Sequence, residues 1–215
     1  MWRLQADALR EISERPAPPP ALVERAALLF DVYSLLLLYS GSCSSTRYAA
    51  TVRADMAAFH PGFSGTWARD HEPIPVLLRS VRHRHSSTLS APLTRAATTN
   101  HRVHMAVATK LVPTGRSLLQ QHGDVDVREV PDSARALYDA FFHVQRGPVC
   151  QAAVAAQLLR RLAQMACDIA VHGLDDSGWT PPSAVAGVAG RSHDLLLTAA
   201  ETFASSANLV DGAHP

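Results

Sequence analysis

Residues 21–40, ALVERAALLFDVYSLLLLYS, decide the fold of this chain. The segment is apolar on nearly every face of a helix, and such a helix belongs at the centre of a bundle. Its most apolar run, VYSLLLLY at residues 32–39, is far shorter than the roughly 20 residues that span a bilayer. Glu24, Arg25 and Asp31 precede that run. We therefore interpret the segment as a core helix.

Nearly every other segment also has apolar residues at helical spacing, and only residues 125–130 alternate like a strand. The sequence therefore predicts an all-α, single-domain bundle of about seven to nine helices over residues 1–215, with a proline-rich connector at residues 16–20. The predicted helices cover residues 2–15, 21–40, 46–59, 76–85, 90–112, 116–121, 132–145, 148–171 and 192–207.

Composition and charge limit the classes of partner. The 20 basic and 19 acidic residues give a net charge of +1, so no strong field attracts nucleic acid or an anionic membrane. Cys43, Cys150 and Cys167 are an odd number without zinc-site spacing, which favours reduced thiols. The N-terminal residues are charged throughout and lack a signal peptide pattern. We expect a cytoplasmic protein that binds a small-molecule substrate, with a homo-oligomer left open.

Histidine is abundant, with 11 in 215 residues against a single lysine, Lys110. Imidazole both ligates metals and titrates near neutral pH, so the abundance favours metal or acid–base chemistry. The sequence has no GxGxxG, GxxxxGK[ST], GxSxG or HExxH motif. Nucleotide binding and common hydrolase chemistry are therefore unsupported.

His104 lies on the predicted apolar face of the helix over residues 90–112, one turn after Asn100. Two interpretations stay open for this polar pair on a face that points to the core. His104 is either a core histidine that Asn100 or a carbonyl satisfies, or a metal ligand or catalytic group.

His172 ends an apolar stripe on the predicted helix over residues 148–171. Asp168 stands four residues earlier, where it can hydrogen-bond the ring nitrogen that does not bind a metal. The alternative is a helix C-cap, because Gly173 follows and a cation there complements the helix dipole.

His143 and Asp139 repeat this Asp-x-x-x-His spacing, although their helix face is otherwise typical of a solvated one. Two such pairs raise a di-iron carboxylate bundle as an alternative, because facing helices can supply carboxylate and imidazole ligands.

Asp31 is the acid expected in the buried helix and needs a partner there, which can be a structural arginine or histidine.

Residues 60–75, HPGFSGTWARDHEPIP, form an irregular segment that we predict to be a functional loop. His60 can exchange a proton, and Arg69 can bind a carboxylate through two hydrogen bonds. Phe63 and Trp67 can stack on an aromatic ring, with Ser64 between them as a further substrate contact. The alternative is a surface loop folded over its own aromatic side chains.

The stretch FHPGFSGTWAR at residues 59–69 resembles the substrate region of the tryptophan 2,3-dioxygenase-like, heme-dependent aromatic oxygenases, which include bacterial tyrosine hydroxylases. The resemblance implies an all-helical protein in which His60 is the distal histidine and Arg69 binds the substrate carboxylate. It implies that His172, or less well His104, is the heme ligand.

Our leading hypothesis is a histidine-ligated, heme-dependent oxygenase or hydroxylase that acts on a small aromatic or amino-acid-like substrate in secondary metabolism. The first alternative is a di-iron helical-bundle oxygenase, with iron in place of heme. The second is a non-catalytic helical protein that binds a ligand or another protein.

Overall fold

The computed structural model describes residues 1–123, 130–148, 150–174 and 179–206. All regular secondary structure in these ranges is helical, which confirms the all-α class. Apart from Val130, which lies in a loop, the predicted strand at residues 125–130 falls outside the described residues. None of the helices in the described ranges is both long enough and apolar enough to span a membrane.

A π-helical turn over Ala49–Arg53 joins the short helices Ser45–Tyr48 and Ala54–Phe59 into one continuous helix. The predicted helix over residues 46–59 therefore forms, with this internal irregularity. The helices are α1 (Trp2–Glu14), α2 (Pro20–Ser40), α3 (Ser45–Tyr48), α4 (Ala54–Phe59), α5 (Ile74–Arg84), α6 (Ser87–Leu111), α7 (Leu118–His122), α8 (Asp132–Phe141), α9 (Gln151–His172), α10 (Ser183–Ala189) and α11 (Ser192–Ser206).

Helix α2 lies at the centre of the bundle, as its sequence predicts. It packs along α6 and also contacts α1, α10 and α11. Val32 and Leu35 are almost completely buried in the main hydrophobic core. Asn100 of α6 donates a hydrogen bond of 3.1 Å from Nδ2 to Oγ of the buried Ser34, so its predicted orientation toward the core is confirmed.

Helix α6 begins at Ser87, three residues before the predicted start at Ser90. Ser86 is the N-cap, and its Oγ accepts a hydrogen bond from the Leu89 amide at 3.3 Å. Pro92 consequently lies inside the helix. The predicted start at residue 90 was too late, because Ser86 can cap the helix one turn earlier.

Helix α8 ends at Phe141, four residues earlier than predicted. His143 adopts a left-handed conformation with φ of 51°, and the Val144 amide bonds back to the Asp139 carbonyl at 2.8 Å. A residue in this conformation terminates a helix. His143 is exposed and does not stand one helical turn above Asp139, so the predicted helical Asp-x-x-x-His pair is wrong here.

A second, smaller hydrophobic cluster lies beside the main core, where the loop over residues 60–73 packs on α8. Phe63, Trp67 and Ala134 are its buried members. Through this cluster, the predicted functional loop packs against α8, which lies more than 60 residues later in the sequence. This packing positions the candidate site.

Candidate functional site

Phe63 and Trp67 are the buried centre of the loop, each only 4% exposed. Their ring centroids are 5.5 Å apart, and Phe63 lies 4.8 Å from Phe141 of α8. The loop is therefore folded over its own aromatic side chains. Phe142, which is 46% exposed, borders the cluster at 6.1 Å from Phe63 and offers an open ring face.

His60 lies at the start of the loop and is half-buried. The Gly62 amide donates a hydrogen bond of 3.0 Å to His60 Nδ1. Because that nitrogen accepts, the neutral imidazole has its proton on Nε2. The ring also packs edge-on against Trp67 at 5.1 Å and His122 at 5.9 Å. A Cβ atom at Gly62 would lie 3.2 Å from the His122 ring, so glycine allows this close approach.

Ser64, which was predicted to contact the substrate, makes hydrogen bonds within the loop. Its Oγ accepts a hydrogen bond of 3.2 Å from the Thr66 amide and lies 2.9 Å from the Thr66 hydroxyl. It caps the short 3₁₀ turn Gly65–Trp67, and this turn positions Trp67 in the cluster.

Arg69 lies between two carboxylates of α8. Its Nη1 is 3.5 Å from Asp132 Oδ1, and its Nε is 3.7 Å from Asp139 Oδ2. The buried Nε has no hydrogen-bond partner among the described residues. A buried donor without an acceptor is costly, so Arg69 has hydrogen-bonding capacity that a ligand oxygen can satisfy.

Arg146 accounts for the weak pairing of Arg69. It donates from Nε and Nη2 to the two carboxylate oxygens of Asp139 at 2.6 and 2.8 Å, and from Nη1 to Asp70 at 3.2 Å. These hydrogen bonds lower the pKa of Asp139 and raise the pKa of Arg146. The charge of Asp139 is thus already balanced by Arg146. Asp139 therefore makes no close hydrogen bond to the Arg69 guanidinium.

Tyr138 lies between the aromatic cluster and these charges. Its ring stacks on Phe63 at 5.9 Å. Burial, reinforced by the charges of Asp139 and Asp70, raises the pKa of Tyr138 to about 12. Its hydroxyl therefore stays protonated at neutral pH and remains available as a donor.

Sequence reasoning missed Arg146, Phe142 and His122. Arg146 stood on a face that was interpreted as solvated, and its partner Asp70 is 76 residues away. No helical period reveals a pairing of that sequence separation. The two adjacent phenylalanines at residues 141 and 142 were the sequence signal that could have indicated Phe142.

His172 lies at the C-terminal end of α9, where Gly173 ends the helix with φ of +72°. Its Nε2 is 3.8 Å from Asp168 Oδ1, and the Tyr39 hydroxyl donates to Asp168 Oδ2 at 2.8 Å. The His172 side chain is 72% exposed. The groove beside it is lined only by residues of α9, so no second described element covers the ring.

His104 is exposed, and the prediction that it faces the core is wrong. The buried position on that turn of α6 is taken by Val103. Although His104 is at the surface, partial burial of its imidazole, with a smaller effect of neighbouring His101, lowers the pKa of His104. His104 lies close enough to the loop to affect it, because burial, with a smaller effect of the charge of His104, lowers the pKa of His71. The described contacts of His172 instead involve Asp168 of α9, which Tyr39 of α2 also contacts.

Two of the acids considered for a di-iron site, Asp31 and Asp139, lie beside arginines, and the third, Asp168, accepts a hydrogen bond from Tyr39. Asp31 Oδ2 lies 3.9 Å from Arg191, and burial raises the pKa of Asp31 against the opposing effect of that arginine. Asp139 is bound by Arg146. In the part of the chain that the structure describes, no group of three or more histidine, cysteine, aspartate or glutamate side chains is arranged to hold a metal ion.

A family model described as SfmD 3-methyl-L-tyrosine peroxygenase matches residues 5–96. The match covers less than half of the chain. It includes most of α1, all of α2 to α5 with the whole loop from His60, and the first part of α6, and it ends before His104, Arg146 and His172. No curated protein matches the chain significantly. The matched family is named for oxidation of an aromatic amino acid, the same broad chemistry that the resemblance of the loop implies.

Proposed function

We propose that this chain is a heme-dependent, peroxygenase-type oxidase of an aromatic amino-acid-like substrate in secondary metabolism. The match over residues 5–96 supports the reaction class, because it contains the entire loop. One geometric observation carries the assignment of the substrate class. The buried Nε of Arg69 lacks a hydrogen-bond partner beside a cluster of aromatic rings.

The substrate carboxylate binds to Arg69. The guanidinium is held at 3.5 and 3.7 Å from two aspartates, beyond the range of good hydrogen bonds, so a closer carboxylate improves its contacts. The flanking acid Asp132 is largely exposed and can pair with the ammonium group of an amino acid. Arg69 and Asp132 together offer one positive and one negative group. This pair suits a zwitterionic amino acid better than a ligand with only a carboxylate.

The aromatic ring of the substrate packs at the rim of the cluster. Phe63 and Trp67 are buried and already packed, so we move the stacking role from them to the open face of Phe142. Phe63 and Trp67 then hold Phe142 in position but do not contact the substrate ring. Offset or edge contacts between aromatic rings add about 0.5–1.5 kcal/mol to the burial of their surface.

His60 is the catalytic hydrogen-bond donor of the proposal. Its Nδ1 accepts from the Gly62 amide, so the neutral ring carries its proton on Nε2, and this N–H can donate a hydrogen bond to a reacting oxygen. Trp67 and His122 fix the ring from two sides. His60 therefore has one defined tautomer and a restricted orientation.

Heme, when bound, supplies the transfer of an oxygen atom from a peroxide. A single histidine suffices as the protein ligand, so this cofactor does not require a cluster of ligating side chains. By the resemblance, His172 is the first candidate and His104 the second. Asp168 next to His172 is a suitable hydrogen-bonding partner for a ligating imidazole, which supports His172.

A calorimetric titration of the hemin-loaded full chain tests substrate recognition. We expect 3-methyl-L-tyrosine to bind, and the amine that lacks its carboxylate to bind about 10- to 100-fold more weakly, because a charge-assisted hydrogen bond contributes about 1.5–3 kcal/mol. Equal affinity for both compounds would contradict recognition through Arg69. Absence of binding by either compound would favour the non-catalytic alternative.

A further inference from the structure

A cavity of about 610 Å³ lies where α1, α9 and α11 meet the segment that follows α8. Its volume is within the range of about 300–1000 Å³ that is usual for small-molecule sites. Asp70 and Arg146 line it, whereas Arg69 and Phe142 are not among its described lining residues. The cavity therefore adjoins the proposed substrate site through the Asp70–Arg146 pair but does not include the residues that bind the substrate there.

The buried side chains that line this cavity are apolar. Ala8, Ala155 and Phe203 are each at most 8% exposed. Leu158 is partly buried beside them, and Val154 lines the cavity while it remains 37% exposed. Water therefore contacts an apolar surface here, which the apolar body of a ligand would cover favourably.

Three acids also line the cavity, and each of them already pairs with an arginine. The hydrogen bonds run from Arg10 to Asp7 at 2.6 Å, from Arg15 to Glu11 at 2.8 Å and from Arg146 to Asp70 at 3.2 Å. A cationic ligand would have to compete with these arginines for a carboxylate. The paired acids therefore disfavour amines as ligands of this cavity.

Arg25 of α2 differs from the other arginines that line the cavity. It is exposed, and no hydrogen bond or ion pair joins it to another residue in the described part of the chain. Arg3, in contrast, donates to Asp7 at 3.0 Å, and Arg146 binds Asp70 and Asp139. A ligand carboxylate can therefore form a charge-assisted hydrogen bond with Arg25 without breaking a described contact.

We propose that this cavity binds a monocarboxylic acid with an apolar body. The carboxylate pairs with Arg25, and the apolar body lies on Ala8, Ala155 and Phe203. A mostly apolar lining with a few polar groups that orient the ligand is the usual composition of a small-molecule site. This binding site goes beyond the proposed oxidation and does not depend on it, because different residues bind the two ligands.

Calorimetric titration of the full chain with decanoate and with decylammonium, both below their micelle-forming concentrations, tests the ligand class. Decanoate should bind at least about tenfold more tightly than decylammonium, because the two tails are alike and only the carboxylate can pair with Arg25. Arg25→Gln should weaken decanoate binding about tenfold. Arg95→Gln is the matched control, since it alters an exposed arginine of α6 that is not among the lining residues.

A second pair of variants tests the location. Val154→Asp places a negative charge at the cavity wall and should weaken decanoate binding about tenfold without weakening decylammonium binding. Val171→Asp is its control, because Val171 is 74% exposed on the same helix and does not line the cavity. Both valines are exposed, so the helix should tolerate these changes, and circular dichroism verifies that it does.

Two kinds of result would overturn the inference. No binding of decanoate to the unaltered chain, or equal affinity for decanoate and decylammonium, would show that the ligand class is wrong. Decanoate affinity that is unchanged in both Arg25→Gln and Val154→Asp would show that decanoate binds elsewhere. Neither result bears on the proposed oxidation, whose substrate is bound by Arg69.

Discussion

Arg146 binds both carboxylate oxygens of Asp139, at 2.6 and 2.8 Å, and at the same time reaches Asp70 at 3.2 Å. Asp139 belongs to α8 and Asp70 to the functional loop, so one guanidinium joins the two elements of the candidate site. The planar fork of arginine matches this double contact, which lysine cannot reproduce. The position of Arg69 therefore depends on a residue that is distant in sequence.

Asp139→Asn should lower stability at neutral pH by about 1 kcal/mol, because it removes a bidentate but partly exposed ion pair. The pKa of Asp139 is lowered in the folded protein, so the folded state binds fewer protons than the unfolded state. Its stabilising contribution is complete above the unfolded pKa of about 4 and is lost as the pH falls through the folded value.

Thermal unfolding at several pH values checks this prediction. The difference in Tm between the unaltered chain and Asp139→Asn should shrink as the pH falls below about 4. Asp55→Asn, at an exposed acid of α4, is the control and should leave Tm nearly unchanged. A difference in Tm that stays constant down to pH 2 would rule out the ionised pair as its source.

Arg69→Lys should weaken binding of 3-methyl-L-tyrosine about 10- to 100-fold while heme content stays the same. The matched control is Arg135→Lys, which alters a neighbouring arginine that is already paired with Glu72 at 3.0 Å. Calorimetry on both variants measures the effect. Unchanged affinity in Arg69→Lys, or an equal loss in Arg135→Lys, would disprove a specific carboxylate contact.

Local sequence patterns predicted most of the helices. Much of the candidate site, in contrast, depends on contacts between residues that are distant in sequence. The apolar run of α2 predicted its central place, and Gly173 correctly marked the end of α9. The early end of α8 was missed because His143 is not a residue type that signals a left-handed turn.

The candidate site likewise has one part that the sequence predicts and one part that it does not. The loop from His60 to Arg69 is recognisable because its residue types are unusual together within ten positions. The contact of Arg146 with Asp70 depends on how distant segments pack. A helical period contains no information about such tertiary neighbours.

Gly41→Ala should destabilise the fold by about 1–3 kcal/mol, because overpacking forces neighbouring atoms to move. A Cβ atom at this position would lie 2.5 Å from Val107 Cγ1, where the end of α2 meets α6. Gly187→Ala is the control, since a Cβ atom there meets nothing within 4 Å. Chemical denaturation measures both, and the combined Gly41→Ala, Val107→Ala variant should recover part of the loss.

His60→Ala should lower turnover more than it weakens substrate binding, by about 100-fold in kcat, because it removes a hydrogen bond to the reacting oxygen and not a substrate-binding contact. Gly62→Ala should have a smaller effect of the same kind, since it displaces His122 from beside the His60 ring. Steady-state kinetics separates kcat from KM. A rise in KM with unchanged kcat in His60→Ala would assign this residue to binding alone.

The most direct test of the proposed function is the origin of the oxygen atom in the product. The hemin-loaded full chain is incubated with 3-methyl-L-tyrosine and ¹⁸O-labelled hydrogen peroxide, and the product is analysed by mass spectrometry. The peroxygenase proposal predicts a substrate that gains one labelled oxygen atom, with the yield reduced in Arg69→Lys. No oxygenated product, or a product whose new oxygen is unlabelled, would contradict it.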